Sequence, residues 1–438
     1  MKCWWIALLC GAMAAGTAVS ARTQEDPDKM KQTVIHAARL LNVTTGVIEA
    51  DQLIVIHGAK IVAVGSAMSL RNQVKDESDR IELPSATLLP GLIDCHVHLT
   101  ADPDLLGPNR LHISNPRSAL IGARNARKTL EAGFTTVRNL TAPGYSDIAL
   151  RDAINAGDVP GPRILASGPA LSITGGHWDE NFAAPEYSLS REGVADGVDA
   201  VIKKVRQNIK YGADVIKVMA TGGVVTEGDN PAAAQYSPEE LKAIVDTAHA
   251  LGRKVAAHAH ATVGIKNAVL AGVDSVEHGS YIDDEGIQLM KEHGTYLVPT
   301  VYLEDWVLQN LTTLGWTPNS IEKAKTVIPI AHMNVAHAFK SGVKVAFGTD
   351  AGVYPHGLNG HEFTKMVEMG LTPLQSIQAG TVNAADLLGW SDKVGTIEAG
   401  KWADIIAVDG DPLRDVATLQ HVKFVMKGGE VVKNEYPH

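Results

Sequence analysis

"LLPGLIDCHVHLT", residues Leu88–Thr100, is an apolar run that ends in two histidines one residue apart. Side chains two apart on a strand share a face, so a strand here aims His96 and His98 the same way, toward a common ligand. One His-x-His pair also suits two hydrogen-bonded interior histidines. The readings diverge in the rest of the chain, because only the first requires further ligands at comparable strand ends.

Further units of the same kind follow. "FTTVRNL", "RILASGP", "DVIKVMA", "KVAAHAH", "DSVEHG", "TYLVPT" and "KVAFGTD" are short β-branched or apolar runs, separated by amphipathic stretches such as "SPEELKAIVDTAHALG". Eight strand-helix repeats over residues 89–393 predict a (β/α)8 TIM barrel of the α/β class. An open doubly wound sheet normally carries a G-x-G-x-x-G loop opening a helix, and no such loop occurs here. Residues 31–88 and 394–438 instead alternate β-type runs with turns. Each piece is too short to stand alone, so together they predict one small β-sandwich domain built from both chain ends.

The 438 residues carry 45% hydrophobic and 20% charged side chains, an ordinary globular balance with room for a large core. A formal charge of -10 argues against a nucleic-acid partner, which needs a basic face to displace phosphate counterions. At the start, Lys2 precedes an apolar segment from Trp4 to about Ala18 and small residues up to Ala21. This reads as a signal peptide over residues 1–21, too short for the ~20 apolar residues of a membrane span, so the mature protein is expected to be exported and free of the membrane. Removal of that leader takes Cys3 and Cys10 with it. Cys95 then has no partner for an intrachain disulfide, and it reads as a buried small residue of its strand.

Barrel chemistry sits at the C-terminal ends of the strands. There the first strand offers His96 and His98, the fourth Lys217, the fifth His258 and His260, the sixth His278 and the eighth Asp350. Neutral imidazoles with an aspartate suit Zn²⁺ or a similar first-row ion. Lys217 is the odd member. A buried ammonium beside a metal must find a carboxylate, lose its proton or be modified; carboxylation by CO2 would make it an anion able to bridge two metals. Taken singly, His278 reads as a hydrogen-bonded interior residue and Lys217 as the partner of a buried acid. Taken together, those readings require independent placements at one barrel mouth.

"PGLIDCHVH", "GFTTVRNL", "DVIKVMATGG", "AAHAH", "VEHGS", "GTDAG" and "GTIEAGKWADIIAVDGDP" fall in the order found in the amidohydrolase superfamily, which the chain resembles over nearly its whole mature length. Within it, "SITGGH", "IKVMATGGV" and "AAHAHA" resemble the Xaa-Pro dipeptidase (prolidase-like) branch, which also holds amidohydrolases that cleave the amide of ochratoxin. The resemblance implies two divalent metal ions, Zn above all. His96 and His98 would hold the more buried one, carboxylated Lys217 would bridge, and His258 and His278 would hold the second. Asp350 would touch the first metal and hold the nucleophilic water. His260, His177 and Tyr236 fall where the branch contacts substrate. Asn139 stands where an aspartate is usual, and Trp178 follows His177 where a small residue is common, which implies a narrower or more apolar pocket.

The implied reaction is attack of a metal-activated hydroxide on the amide of a dipeptide or an N-acyl amino acid, ochratoxin A among them. Asp350 would serve as base and then acid, and Tyr236 would help polarise the carbonyl. His260, His177 and Arg138 are candidates for a substrate carboxylate, although an arginine at a barrel strand end often pairs with a neighbouring acid. A lactonase or cyclic-amide hydrolase would use the same centre on another bond, and a metal-binding scaffold without catalysis is the alternative of another class. Relatives commonly form homo-oligomers, which the resemblance implies here too.

Overall fold

In the computed structural model, which describes residues 32–437, four strands open the chain: β1 (Gln32–Asn42), β2 (Val47–His57), β3 (Lys60–Ser66) and β4 (Asp79–Pro90). The proposed leader at 1–21, with Cys3 and Cys10, lies outside the described residues. β1 and β2 form a hairpin whose turn is held by the Asn42 carboxamide, which accepts from Thr44 and Thr45 backbone amides at 3.2 Å each. That is the local bond that makes asparagine a turn residue. β4 lies parallel to β1 and passes through Gly91 directly into the next strand. Gly91 has no substitute there: a Cβ would sit 2.2 Å from Thr135 Oγ1.

Seven parallel strands follow: β5 (Leu92–Val97), β6 (Phe134–Asn139), β7 (Arg163–Ala166), β8 (Val215–Met219), β9 (Lys254–Ala259), β10 (Ser275–His278) and β11 (Tyr296–Val298). They are short and buried on both faces, which is why they read as continuous apolar runs. Helices between them supply the outer layer. That of Pro238–Ala250 starts on a capping box in which Ser237 and Glu240 exchange bonds, worth about 1 kcal/mol.

The ladder is not one continuous eight-stranded ring among the described residues. β5-β6-β7 and β8-β9-β10-β11 are separate sheets. Hydrogen bonds cross one gap through Leu171, whose amide donates to Lys217 O at 2.8 Å. They cross the other through residues 344–351, where Ala346 N donates to Leu297 O at 3.0 Å and Cys95 N donates to Phe347 O at 2.8 Å. That segment is the expected eighth strand. It is irregular because Asp350 is left-handed (φ 59°) and a side chain at Gly348 would strike Val298 at 2.2 Å.

β12 (Ile405–Asp409), β13 (Phe424–Lys427) and β14 (Glu430–Asn434) complete the β domain. Both chain ends do build it, but as one seven-stranded sheet in the order β14-β13-β12-β4-β1-β2-β3, not as a two-sheet sandwich. β4 has a partner on each edge, β1 on one and β12 on the other, so the two pieces join edge to edge. Cys95 is a free, fully buried thiol. No described helix is long and apolar enough to cross a membrane.

Candidate metal centre

His96 and His98 leave the end of β5 toward the cavity at the C-terminal ends of the parallel strands, whose lining also includes Lys217, His258, His260, His278, Asp350 and His177. Two groups of metal-competent atoms form there, each with its ligand atoms within 4.8 Å of one another: His96, His98 and Asp350, and His258, His260 and His278. The second group holds His260 as well as His258, although the family resemblance assigns His258 to metal and His260 to substrate.

A ligating imidazole needs one nitrogen engaged and the other free. His96 Nδ1 is 2.8 Å from Glu277 Oε2, His278 Nδ1 2.7 Å from Thr300 Oγ1, and His260 Nδ1 2.7 Å from Ser280 Oγ, so each leaves its Nε2 available. Burial pushes the imidazole of His96 down to about 4 and that of His260 to about 3, and holds His258 and His278 well below the ordinary range. At neutral pH these rings are therefore uncharged lone-pair donors. Burial alone would raise Asp350, but His96, His98 and Lys217 outweigh it and keep its carboxylate below the usual range.

Two contacts fit the residues to bound cations. Asp350 Oδ1 lies 2.9 Å from His98 Nε2 and 3.5 Å from His96 Nε2. One carboxylate oxygen and two ring nitrogens gathered this closely make a compact donor set for a first-row cation. Lys217 Nζ is buried without any hydrogen-bond partner, and its charge acts on His96 and Asp350 of one group and on His258 and His278 of the other. Burial lowers it to about 8, against the pull of Glu277 and Asp350.

Glu277, inside β10, is a buried site residue that the strand-end pattern does not single out. Its Oε2 receives His96, while its Oε1 receives Arg138 Nη2 at 2.9 Å and Ser275 Oγ at 2.5 Å. Burial opposes its charge, but Arg138 and His96 prevail and bring the carboxyl down to about 2. An acid in the apolar "SVEHG" was as costly a signal as the lysine in "DVIKVMA". Arg138 is thereby accounted for: fully buried, it spends its donors on Cys95 O, Ser275 and Glu277 beneath the centre. Asn139 keeps the support expected of an aspartate, accepting from Leu99 N at 2.7 Å while its amide reaches Asp147 at 3.2 Å.

His177 is brought in, stacked on His258 with centroids 4.2 Å apart and its Nδ1 3.1 Å from Asp229. Trp178 forms the neighbouring wall, stacked at 18° on His98 and covered by Arg191. Tyr236 is the exception. It belongs to the apolar core, its hydroxyl donates to Ala195 O at 3.1 Å, and it does not line the cavity. Its proton is already used, which removes it from carbonyl polarisation.

The left-handed region holds few residues with side chains, yet Thr141, Trp178, His278, Thr300 and Asp350 are all there and all line this cavity. Such strain persists where surrounding structure over-determines it, and it gathers at functional sites.

The amidohydrolase family profile matches residues 87–432. Ochratoxinase from Aspergillus niger is 37% identical over 433 residues, 93% of this chain and 88% of its own length. The crystal structure of a Xaa-Pro dipeptidase with methionine bound in its active site superposes with a TM-score of 0.86 at 38% identity, covering 92% of this chain and all of that one. The structure of A. niger ochratoxinase gives 0.84 at 35% identity, over 93% of this chain and 97% of that one.

Proposed function

The chain belongs to the amidohydrolase family and is a hydrolase acting on amide bonds, and from that premise we propose that it is a binuclear metal enzyme for dipeptides or N-acyl amino acids. The reading is carried by Lys217, a buried amine with no partner set among two groups of metal-competent side chains. As a carbamate it would trade an unpaired buried cation for an anion with two ligating oxygens. His96, His98 and Asp350 would hold one ion, His258 and His278 the other, with Lys217 shared and His260 beside them toward substrate.

Bound there, two divalent ions such as Zn²⁺ would supply a water that deprotonates near neutral pH and would polarise the amide carbonyl. The chain's own residues do the rest. Asp350 takes the proton of the attacking water and returns it to the leaving nitrogen, one carboxylate acting as base and then acid. Glu277, held by Arg138, fixes the ring of His96. His177, oriented by Asp229, and His260, oriented by Ser280, are the cavity-facing rings left to contact the carbonyl or the carboxylate of the leaving amino acid. Similarity to an ochratoxinase and to a Xaa-Pro dipeptidase supports substrates in which the amide joins an acyl group to an amino acid. Export through residues 1–21 and homo-oligomer formation belong to the same reading, and the N-terminus and mass of protein recovered outside the cytoplasm check both.

The deciding experiment measures metal content by mass spectrometry beside hydrolysis of Xaa-Pro and N-acyl-phenylalanine substrates before and after chelation. Near two metals per chain with chelator-sensitive cleavage is the expected result. One metal or none, with cleavage indifferent to the chelator, overturns the binuclear reading. Lys217→Ala should lose both metal and turnover, and a fully loaded, active variant would refute the bridge.

A further inference from the structure

The cavity wall contributed by residues 224–225, 303, 307, 316 and 327–328 is apolar apart from the buried indole N–H of Trp316, and Glu304 brings the one carboxylate to it. Around it Val307, Ala324 and Ile328 pack with Val224, Leu303 and Trp316. Glu304 rides on helix Val301–Asn310, and its side chain retains 12% exposure. Its nearest ring is that of His332, with Nε2 at 3.0 Å from Glu304 Oε2 and 3.6 Å from Asp305 Oδ1, and the charges of Asp305 and Lys365 also act on it. Asp305 is in turn paired with Lys365 Nζ at 2.6 Å.

Glu304, Asp305 and Glu368 thus share one ammonium, that of Lys365, and one imidazole, that of His332, and Glu304 is the acid that borders the cavity. An acid is costly in such a wall, and an apolar side chain of similar length would extend the cluster at less cost. Burial pushes the Glu304 carboxyl up to about 7, a position that an incoming cation would reverse. Apolar walls strengthen an ion pair formed against them.

We infer that Glu304 is a specificity-determining residue that receives a cationic group, an ammonium or guanidinium, on the part of the substrate lying along this wall. The inference rests on the amide-hydrolase reading and narrows it. Substrates carrying a free amino end or a basic side chain are preferred over amides of an uncharged acyl group.

The test uses the mature, metal-loaded enzyme on four substrates: Leu-Phe, N-acetyl-Leu-Phe, N-acetyl-Lys-Phe and N-acetyl-norleucyl-Phe. Wild type should favour the cationic members of the set, with Leu-Phe against its acetylated form reporting the amino end and lysine against norleucine reporting the side chain. Glu304→Gln should lower kcat/KM for the favoured cationic substrate about 10- to 100-fold, chiefly through KM, as expected for a lost charge-assisted hydrogen bond. Uncharged substrates should stay within about threefold, and Tm should move little, because glutamine fills the same space and Glu304 Oε2 makes no hydrogen bond to be lost. An equal loss on all four substrates marks Glu304 as a structural tie between helices and overturns the inference, as does an unchanged preference. Wild type alone supplies a second reading: butylammonium should inhibit competitively at lower concentration than butanol, and equal potency overturns the inference. If wild type cleaves uncharged amides but shows no cationic preference, only the role of Glu304 fails; if it cleaves none of the four, the amide reading fails with it.

Discussion

Replacing Glu277 by glutamine removes one charge from a buried chain that runs from Ser275 and Arg138 through Glu277 to His96. The guanidinium of Arg138 is 1% exposed and would be left without its counter-ion. Breaking such a pair by removing one partner costs about 3 to 5 kcal/mol. At roughly 2 °C per kcal/mol for a large domain, Tm should fall by about 6 to 10 °C. Separately, His96 loses the carboxylate that holds its Nδ1 proton and aims its Nε2, a change worth about 10- to 100-fold in metal affinity. Thermal melts and competitive metal titration against a chelator measure the two effects independently. The double variant Arg138→Gln with Glu277→Gln removes the stranded cation, so it should recover part of the lost stability while leaving metal affinity low. A Glu277→Gln protein that melts within about 2 °C of wild type and holds metal within about twofold would refute both parts of the reasoning.

Other outcomes follow from the same geometry. Asp350→Asn should fold with an unchanged far-UV spectrum yet lose kcat by a factor on the order of 1,000 or more, since the amide neither takes nor returns a proton; near-normal turnover would sink its assignment. His258→Asn should lose about one metal equivalent per chain, whereas His260→Asn should keep its metal and raise KM, and the reverse pattern would exchange the two roles. Metal-free protein should lose stability as pH falls below about 6.5. The imidazoles of His96, His260 and His356 are depressed to between about 3 and 4, so across that window the unfolded chain binds protons that the folded chain refuses. Each contributes a slope of about 1.4 kcal/mol per pH unit, and denaturant melts of the apo protein between pH 4 and 7 should rise with pH.

Much of the candidate centre is legible in the chain because each histidine and Asp350 stands at or near the end of a short apolar run, and Lys217 is the lone charge within one. The pattern that marks a buried strand also marks where the strand meets the cavity. That pattern marks His96, His98, Lys217, His258, His278 and Asp350, and the cavity contains them all. Tyr236 was placed by likeness of motif, but the direction of a hydroxyl depends on which carbonyl is nearest in three dimensions, here Ala195 O. His260 was separated from His258 by analogy, and spacing alone cannot do so, since residues two apart share a face. The single seven-stranded sheet was hidden for a related reason: alternation reports that a strand has two unlike sides, not which strand lies at its edge. The irregular eighth segment depends on a left-handed aspartate and on the room left by Gly348, neither of which has a signature in the apolar pattern.

The edge pairing of β4 with β12 joins segments from opposite ends of the chain. Contacts so distant in sequence carry a large loop-closure cost and form late. The parallel strands and their helices can assemble from neighbours as the chain emerges, while β4 keeps an unpaired, apolar edge until the last strands arrive. An open edge of that kind invites pairing with another chain. The β domain is therefore the step at which newly made protein is most exposed to aggregation, and loss of the C-terminal strands would do its damage during biogenesis, before any question of catalysis arises.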